Sequence, residues 1–279
     1  MTISAADLKD ALTTVRETVP LVHCITNYVT VNDCANALLA CGGSPIMSDE
    51  PEDVADITSI CGGLVLNIGT LNQHSIEGMR VAGKRAAELE HAIVLDPVGA
   101  GASALRTATA SELIDTLPIT VIRGNMSEVK AVAGAASSTR GVDVNPDDVV
   151  TDENLAESAA FARELAAKLD AIVAITGAID IVASADRVVA IRNGVALMGK
   201  MTGAGCVLSC LVGAYVTANP ASRLEAVVAA IAGEGLAGQI AASRMGELDG
   251  NGSFRTYLLD AICNMTAEQL AAGALVEEL

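Results

Sequence analysis

A glycine-rich turn at residues 202–206, TGAGC, combines features that can bind an anion and place a thiol beside it. The turn runs directly into an apolar stretch that predicts a helix, with Thr202 as its expected cap. Gly203 and Gly205 allow close backbone approach, and the free amides and dipole of a first helical turn favour a phosphate. Neither a Walker A loop nor a dinucleotide fingerprint is present, so a plain tight turn is the alternative.

Cys206, at the end of this turn, has two interpretations. A cysteine at a helix N-terminus is expected to have a lowered thiol pKa, which suits a catalytic role. Free cysteines are also common as small buried hydrophobic residues. We therefore treat Cys206 as a candidate catalytic residue and packing as the alternative.

Two carboxylates follow predicted strands in a pattern that suits a divalent cation. Asp96 ends the apolar run AIVLD, and Glu128 lies three residues after Asn125 at a predicted helix start. Together these side chains can form the oxygen-rich surroundings that Mg²⁺ prefers. Capping of a turn or a helix is the alternative role for the same residues.

Three more side chains are candidates for ligand contacts. Arg123 can pair with phosphate oxygens or form a surface ion pair. Thr176 can contact a nucleotide through its hydroxyl group or its backbone, or it is a turn residue. Met47 can form an apolar wall of a substrate pocket, although a lone methionine is more often a core residue. The histidines show no metal-ligand spacing.

Buried strands alternate with Ala-rich helical segments along the chain, which predicts a largely parallel sheet covered by helices on both faces. We expect one domain over residues 1–279, with the polar segment 137–154 as a surface excursion. Two apolar runs around residues 184–186 predict an antiparallel hairpin. Ligands gather beyond the carboxyl ends of such strands. The candidate segments there are ITN (25–27), NIG (67–69), DPVGAG (96–101) and RGNMSE (123–128).

Composition narrows the function classes. The 279 residues have a formal net charge of −17, which argues against nucleic acid and anionic membrane surfaces as partners. Seven cysteines without a CxxC pair favour a reducing cytoplasm. The N-terminal segment has no apolar signal region. The longest uncharged stretch, between Lys200 and Arg223, is more typical of a buried helix than of a membrane span.

These segments together resemble the hydroxyethylthiazole kinase family of the ribokinase-like superfamily. They occur in the family's order over nearly the whole chain, and Cys206 is informative because most of the superfamily has an aspartate at that position. The matching segments are HCITNYVTVNDCAN (23–36), GGSPIMSDEPED (42–53), LNIGTLN (66–72), VLDPVGAGAS (94–103), IRGNMSE (122–128), ITGAIDIV (175–182), TGAGC (202–206) and GSFRTYLLDAI (252–262).

The resemblance implies a three-layer αβα sandwich and ATP-dependent, Mg²⁺-dependent phosphorylation of the primary hydroxyl of 4-methyl-5-(2-hydroxyethyl)thiazole, a thiamin-salvage reaction. It also implies a homotrimer with active sites between subunits. By motif position it implies thiazole contacts from Asn27, Met47, Gly69 and Gly203, ATP contacts from Arg123 and Thr176, metal and phosphate contacts from Asp96 and Glu128, and Cys206 beside the accepting hydroxyl.

Four other functions are alternatives. They are a kinase of another small alcohol, such as a hydroxymethylpyrimidine or a sugar, an ATP- or ADP-dependent dehydratase of hydrated nicotinamide nucleotides, a non-catalytic binding protein, and a structural oligomer. The dehydratase is expected to have an aspartate at the position of Cys206. Intact Asp96, Glu128 and Arg123 argue against lost catalysis, and polar motifs at four strand ends argue against a structural role.

Overall fold

The computed structural model describes residues 2–135 and 149–279, so most of the polar segment 137–154 lies outside the described residues. In chain order the described elements are α1 (Ala5–Thr18), β1 (Leu21–Ile25), α2 (Val31–Cys41), β2 (Ser44–Met47), α3 (Val54–Ile60), β3 (Gly63–Asn67), α4 (Gln73–Glu88), β4 (Ala92–Asp96), α5 (Ala104–Thr116), β5 (Val121–Asn125), α6 (Met126–Ala135), α7 (Leu155–Leu169), β6 (Ile172–Thr176), β7 (Asp180–Ala183), β8 (Val188–Ile191), a 3₁₀ helix (Ala196–Lys200), α8 (Ala204–Ala218), α9 (Arg223–Ser243), α10 (Asn251–Asn264), α11 (Ala267–Gly273) and β9 (Val276–Glu278).

The strands form one sheet in the order β2-β1-β3-β4-β5-β6-β7-β8-β9. Neighbours from β2 to β6 pair in parallel, and β6 to β9 pair antiparallel. The mostly parallel sheet and the β7–β8 hairpin were predicted and are confirmed. Strands β2 and β9 were not predicted, because each is short and lies at a sheet edge, where periodicity carries little signal.

Helices cover both faces of the sheet, which confirms the three-layer prediction. Helices α8 and α9 contact the strands on one face, with α1, α2 and α10 packed on them. Helices α4, α6 and α7 contact the opposite face. Adjacent strand residues point to opposite cores, since Val65 belongs to one apolar cluster and its neighbours Leu64 and Leu66 to the other. Both faces are therefore buried, as the continuous apolar strands require.

One helix within the described residues, α9, is long and apolar enough to cross a membrane by length and composition. However, 72% of its apolar window is buried inside the protein. Helix α9 packs against α1, α8 and α10, so its apolar surface is satisfied by neighbouring helices. The helix therefore has the position of a core helix.

The parallel register brings the candidate segments to one edge of the sheet. Asn67 at the end of β3 pairs with Asp96 at the end of β4, and Asn125 at the end of β5 pairs with Thr176 at the end of β6. Helix α8 crosses β1, β3 and β4 beneath them. The fold thus gathers four strand ends around the start of one helix, as expected for a ligand site in an α/β sheet.

Candidate active site

Helix α8 begins at Gly203, whose φ of 84° lies in the left-handed region. A Cβ atom at Gly203 would lie 2.1 Å from Thr30 Cγ2, so only glycine fits this backbone. The first α-helical hydrogen bond runs from the Val207 amide to the Gly203 carbonyl, at 2.9 Å. The amide of Gly205 precedes that bond and is a donor for a ligand. Gly203 occupies the N-cap, so the prediction that Thr202 caps the helix is wrong.

A network of hydrogen bonds leads from Cys206 into the sheet, and we name it the alcohol end, after the role that the resemblance implies for Cys206. Asn27 Nδ2 donates to Cys206 Sγ and to Asn67 Oδ1, both at 3.1 Å. Asn67 Nδ2 donates to Asp96 Oδ2 at 2.7 Å, and the Ser209 hydroxyl donates to the same oxygen at 2.8 Å. The structure thereby joins the predicted residues Asn27, Asp96 and Cys206 through Asn67, which lies in the candidate segment NIG (67–69) but had no predicted role of its own.

The pKa of the Cys206 thiol is raised above its usual value. Burial is the main cause and the negative charge of Asp96 adds to it, while the side-chain amides of Asn67 and Asn27 act in the opposite direction. The expectation of a lowered pKa at the helix start is therefore wrong, because burial and a nearby carboxylate outweigh the helix dipole. At neutral pH the residue is a neutral thiol rather than a thiolate.

Asp96 is fully buried at the centre of the site. Burial raises the pKa of its carboxyl to about 6, Arg123 opposes that rise, and Glu128 adds to it. Asp96 Oδ2 accepts two hydrogen bonds, but Oδ1 has no partner in the described part of the chain. Buried polar atoms are normally satisfied. A carboxylate oxygen left open in this way suits a cation that arrives with the substrate.

Glu128 links the start of α6 to the turn after β4. Its Oε2 accepts from the Asn125 amide and its own amide donates to Asn125 Oδ1, each at 2.9 Å. Its Oε1 accepts from the Gly99 amide at 2.8 Å. The capping alternative for this pair is therefore confirmed. The carboxylate retains further lone pairs, so capping does not prevent a contact with a cation.

A cavity of about 620 Å³ opens beside the start of α8, and we name it the nucleotide cavity, after the ATP contacts that the resemblance implies for Arg123 and Thr176. Arg123, Thr176, Gly203 and Gly205 line it. Arg123 Nη2 donates to the Thr176 hydroxyl, and a Cβ atom at Gly205 would lie 2.5 Å from Arg123 Nη1. A guanidinium group therefore lies directly against the amides of the first helical turn. Both groups attract phosphate oxygens.

Another wall of the nucleotide cavity contains two acids, the half-buried Asp180 and the buried Glu234. Burial raises the pKa of Asp180 to about 7 and that of Glu234 to about 8. Within the described residues, Glu234 Oε1 has no hydrogen-bond partner. Neither acid was predicted. The available signal for Glu234 was an acid within the otherwise apolar segment AIAGEGLAG.

Gly69 lies at the alcohol end. Its amide donates to Asn67 Oδ1 at 2.9 Å, and a Cβ atom there would lie 3.0 Å from Asn27 Nδ2. Met47 ends β2, where it pairs with Cys24 and packs partly buried against the same apolar cluster as Cys206. Across the described ranges, no hydrogen bond or cavity contact joins Met47 to the other candidates. Its place in a substrate wall stays a prediction.

Comparison with known proteins decides the family. The model of the hydroxyethylthiazole kinase family matches residues 12–268. A hydroxyethylthiazole kinase from Clostridium acetobutylicum is 49% identical over 270 residues, covering 97% of this chain and 99% of the relative. The chain belongs to the hydroxyethylthiazole kinase family. The resemblance predicted from its motifs is confirmed, and the chain is a kinase.

Solved structures agree with this assignment. The hydroxyethylthiazole kinase protein from Pyrococcus horikoshii superimposes with a TM-score of 0.87 at 34% identity, covering 98% of each chain. A ribokinase-like superfamily protein from Enterococcus faecalis gives a TM-score of 0.62 at 11% identity over 93% of this chain and 94% of that chain. The second likeness shows the fold alone. The ribokinase-like fold predicted from the sequence is thus confirmed for a member of the hydroxyethylthiazole kinase family.

Proposed function

We propose that this kinase transfers the γ-phosphoryl group of ATP to the primary hydroxyl of 4-methyl-5-(2-hydroxyethyl)thiazole, the phosphorylation step of thiamin salvage. The observation that carries the proposal is the position of the α8 start. It separates the alcohol end, with the Cys206 thiol, from the nucleotide cavity, with Arg123. A phosphoryl group held by the first helical turn would have an alcohol site on one side and a nucleotide site on the other.

At the alcohol end, the thiazole contacts Asn27, Gly69, Gly203 and Met47, and Cys206 lies beside the accepting hydroxyl. The raised pKa of Cys206 argues against a thiolate that removes the proton early. Phosphoryl transfer passes through a loose transition state, in which positioning matters more than early deprotonation. Cys206 therefore acts by holding the hydroxyl in line, and the hydroxyl proton passes late to an oxygen of the transferred phosphoryl group.

At the nucleotide cavity, Arg123 and Thr176 contact ATP. The charge that develops on the transferred group is stabilised by the guanidinium group and by the amides at the start of α8. Donors that are already in place act strongly because they need no reorganisation during the reaction. The position of Gly205 against Arg123 supports this arrangement, since a side chain there would separate the two.

Mg²⁺ is the metal we propose, and Asp96 and Glu128 would hold it. The unpartnered Asp96 Oδ1 and the two carboxylates fit an ion that usually binds one or two carboxylates together with substrate phosphates. When bound, the ion neutralises negative charge on the phosphate oxygens. Asn67 and Ser209 hold the Asp96 carboxylate in place for that contact.

We also propose a cytoplasmic homotrimer with active sites between subunits. Tyr28 and Val29 directly follow Asn27, and they are 76% and 56% exposed. Large apolar side chains so exposed beside a substrate site suit contact with a second subunit. All seven cysteines are free, which suits a reducing compartment. Light scattering should give a mass three times that of the 28.3 kDa chain.

One assay tests the proposed reaction. Purified protein is incubated with ATP, Mg²⁺ and a panel of alcohols, and ADP release and the phosphorylated product are measured. We expect the highest kcat/KM for the hydroxyethylthiazole and a loss of activity when the divalent metal is removed by a chelator. Higher kcat/KM for a hydroxymethylpyrimidine or a sugar would reject the proposed substrate. ADP release without a phosphorylated alcohol would reject the reaction.

A further inference from the structure

Asn67, the last residue of β3, contacts three elements of the active site. Its Oδ1 accepts from the Gly69 amide at 2.9 Å and from Asn27 Nδ2 at 3.1 Å, and its Nδ2 donates to Asp96 Oδ2 at 2.7 Å. The side chain is buried, with 2% of the residue exposed. A backbone amide can only donate, so the Gly69 contact places Oδ1 on that side and directs the NH₂ group at Asp96.

The amide of Asn27 is oriented in the same way. Its Oδ1 accepts from the Thr30 amide at 3.2 Å and from the Thr30 hydroxyl at 3.0 Å. Its NH₂ group therefore points toward Asn67 Oδ1 and Cys206 Sγ. Every donor in this hydrogen-bond network therefore has a defined direction. The network is continuous from the Asp96 carboxylate to the Cys206 thiol.

We infer that Asn67 is a positioning residue that couples binding of the alcohol to binding of the nucleotide. The inference depends on the proposed roles of Asn27, Cys206 and Asp96. A ligand that orders the Asp96 carboxylate also orders the Asn67 amide. Through it, the Gly69 turn and the Asn27 amide are ordered for the alcohol. Coupling of this kind is reciprocal, because each ligand changes the affinity for the other by the same factor.

The coupling is measurable without turnover. Isothermal titration calorimetry gives the affinity for the hydroxyethylthiazole alone, and again with saturating Mg²⁺ and a non-hydrolysable ATP analogue. For the wild-type protein we expect the analogue to strengthen alcohol binding about 5–150-fold, the usual range of coupling between sites. In Asn67→Leu, which removes all three hydrogen bonds at similar volume, we expect this factor to fall to about one. By reciprocity, saturating hydroxyethylthiazole should strengthen binding of the ATP analogue by the same factor in the wild-type protein, and by a factor of about one in Asn67→Leu.

Two controls separate coupling from general damage. Ser209→Ala removes the other donor to Asp96 Oδ2 but leaves the hydrogen bonds from Asp96 through Asn67 to Asn27 intact. The affinities for the hydroxyethylthiazole and for the ATP analogue should both fall, while the coupling factor between them keeps its wild-type value. Asn219→Leu removes a buried amide at the far end of α8, where it donates to the Ala11 and Tyr215 carbonyls. This variant should lose stability and keep the wild-type coupling factor. Asn67→Ala replaces the leucine variant if that variant does not fold.

Three results would overturn the inference. A wild-type protein that binds the alcohol equally well with and without the analogue has no coupling to explain. An Asn67 variant that binds both ligands more weakly but keeps the wild-type coupling factor would show that Asn67 supports the structure of the site without coupling the two ligands. A wild-type protein that does not bind the hydroxyethylthiazole at all rejects the proposed function first, and the inference with it.

Discussion

The alcohol end and the nucleotide cavity differ in how completely their polar atoms are paired. At the alcohol end, the side-chain amides of Asn27 and Asn67 use both their donor and acceptor groups within the protein. In the nucleotide cavity, Arg123 Nε and Glu234 Oε1 are buried without a partner among the described residues. Asp96 lies between the two regions, with one oxygen paired and the other open.

This difference indicates which part of the site has its polar atoms paired in the free protein and which part obtains partners from a ligand. A paired amide network favours one orientation of the proposed alcohol, which lowers the entropy cost of reaction. Ligand binding at the Asp96 carboxylate would restrict this network further. An unpartnered buried polar group costs about 1–3 kcal/mol in the free protein. Such a group is tolerated where a ligand later supplies the partner. The hydrogen bonds of the alcohol end are therefore formed in the free protein, whereas the proposed ATP and metal would supply the missing partners in the nucleotide cavity.

The largest effect is expected where the two regions meet, at Gly205. In Gly205→Val the side chain would collide with the Arg123 guanidinium and separate it from the helix amides. We expect kcat/KM to fall about 10³-fold, the upper range for loss of a charge-stabilising donor. Steady-state kinetics measure it. The control is Gly252→Val, in the first turn of α10, because a Cβ atom there meets nothing within 4 Å. If kcat/KM fell equally in Gly205→Val and Cys206→Ala, the backbone donors at the start of α8 would contribute no more to catalysis than the thiol.

A smaller effect is expected inside the alcohol end. Cys206→Ala removes the group beside the accepting hydroxyl but leaves Asn27 and Asn67 paired with each other. We expect kcat to fall about 10²-fold, the typical cost of a misplaced reacting group, with the KM for ATP nearly unchanged. Cys206→Asp should retain more activity than Cys206→Ala, because the resemblance implies an aspartate at this position in most of the superfamily. A wild-type rate in Cys206→Ala would show that the thiol has no catalytic role.

The smallest effect concerns stability at the nucleotide cavity. The pKa of Glu234 is raised to about 8, so the folded protein holds this proton more tightly than the unfolded chain. Its contribution to the free energy of unfolding is therefore present at low pH and is lost as pH rises through about 8. Glu234→Gln should be more stable than the wild type at alkaline pH by about 1–3 kcal/mol. This advantage should be smaller at acidic pH, where Glu234 of the wild type is protonated.

Urea unfolding of Glu234→Gln and wild type at acidic and alkaline pH measures this difference. Exposed Glu247→Gln is the matched control, because it removes an acid outside the cavity. A stability difference between Glu234→Gln and wild type that is the same at both pH values would contradict the assignment of Glu234 as an unpartnered acid.

Several elements were predictable because their signals are local. The run AIVLD predicts a buried strand, and β4 spans Ala92–Asp96. The β7–β8 hairpin follows from two apolar runs around a short turn, where the Ser184 amide donates to the Arg187 carbonyl. Strand β9 has no such signal, since VEE forms a strand only because it pairs with β8.

The sequence predicted several residues of the site but not the hydrogen bonds and charges that connect them. Asp96, Arg123, Thr176 and Cys206 stand out by residue type and motif. Asn67 looks like the polar end of a strand until the register places it beside Asp96. The direction of the Cys206 pKa shift was also out of reach. It depends on burial and on a carboxylate 110 positions away in the chain, neither of which is a local property.

The sequence by itself determined the alternation of strands and helices, the glycine turn and the family, because these are written in local patterns and ordered motifs. The tertiary structure alone decided which polar atoms are paired and which are left open. Hydrogen bonds, burial and charge act over a few ångströms in space, between residues such as Asn27 and Cys206 that are far apart in the chain. For that reason the fully paired amides of the alcohol end and the unpartnered atoms of the nucleotide cavity became distinguishable only once the chain was folded.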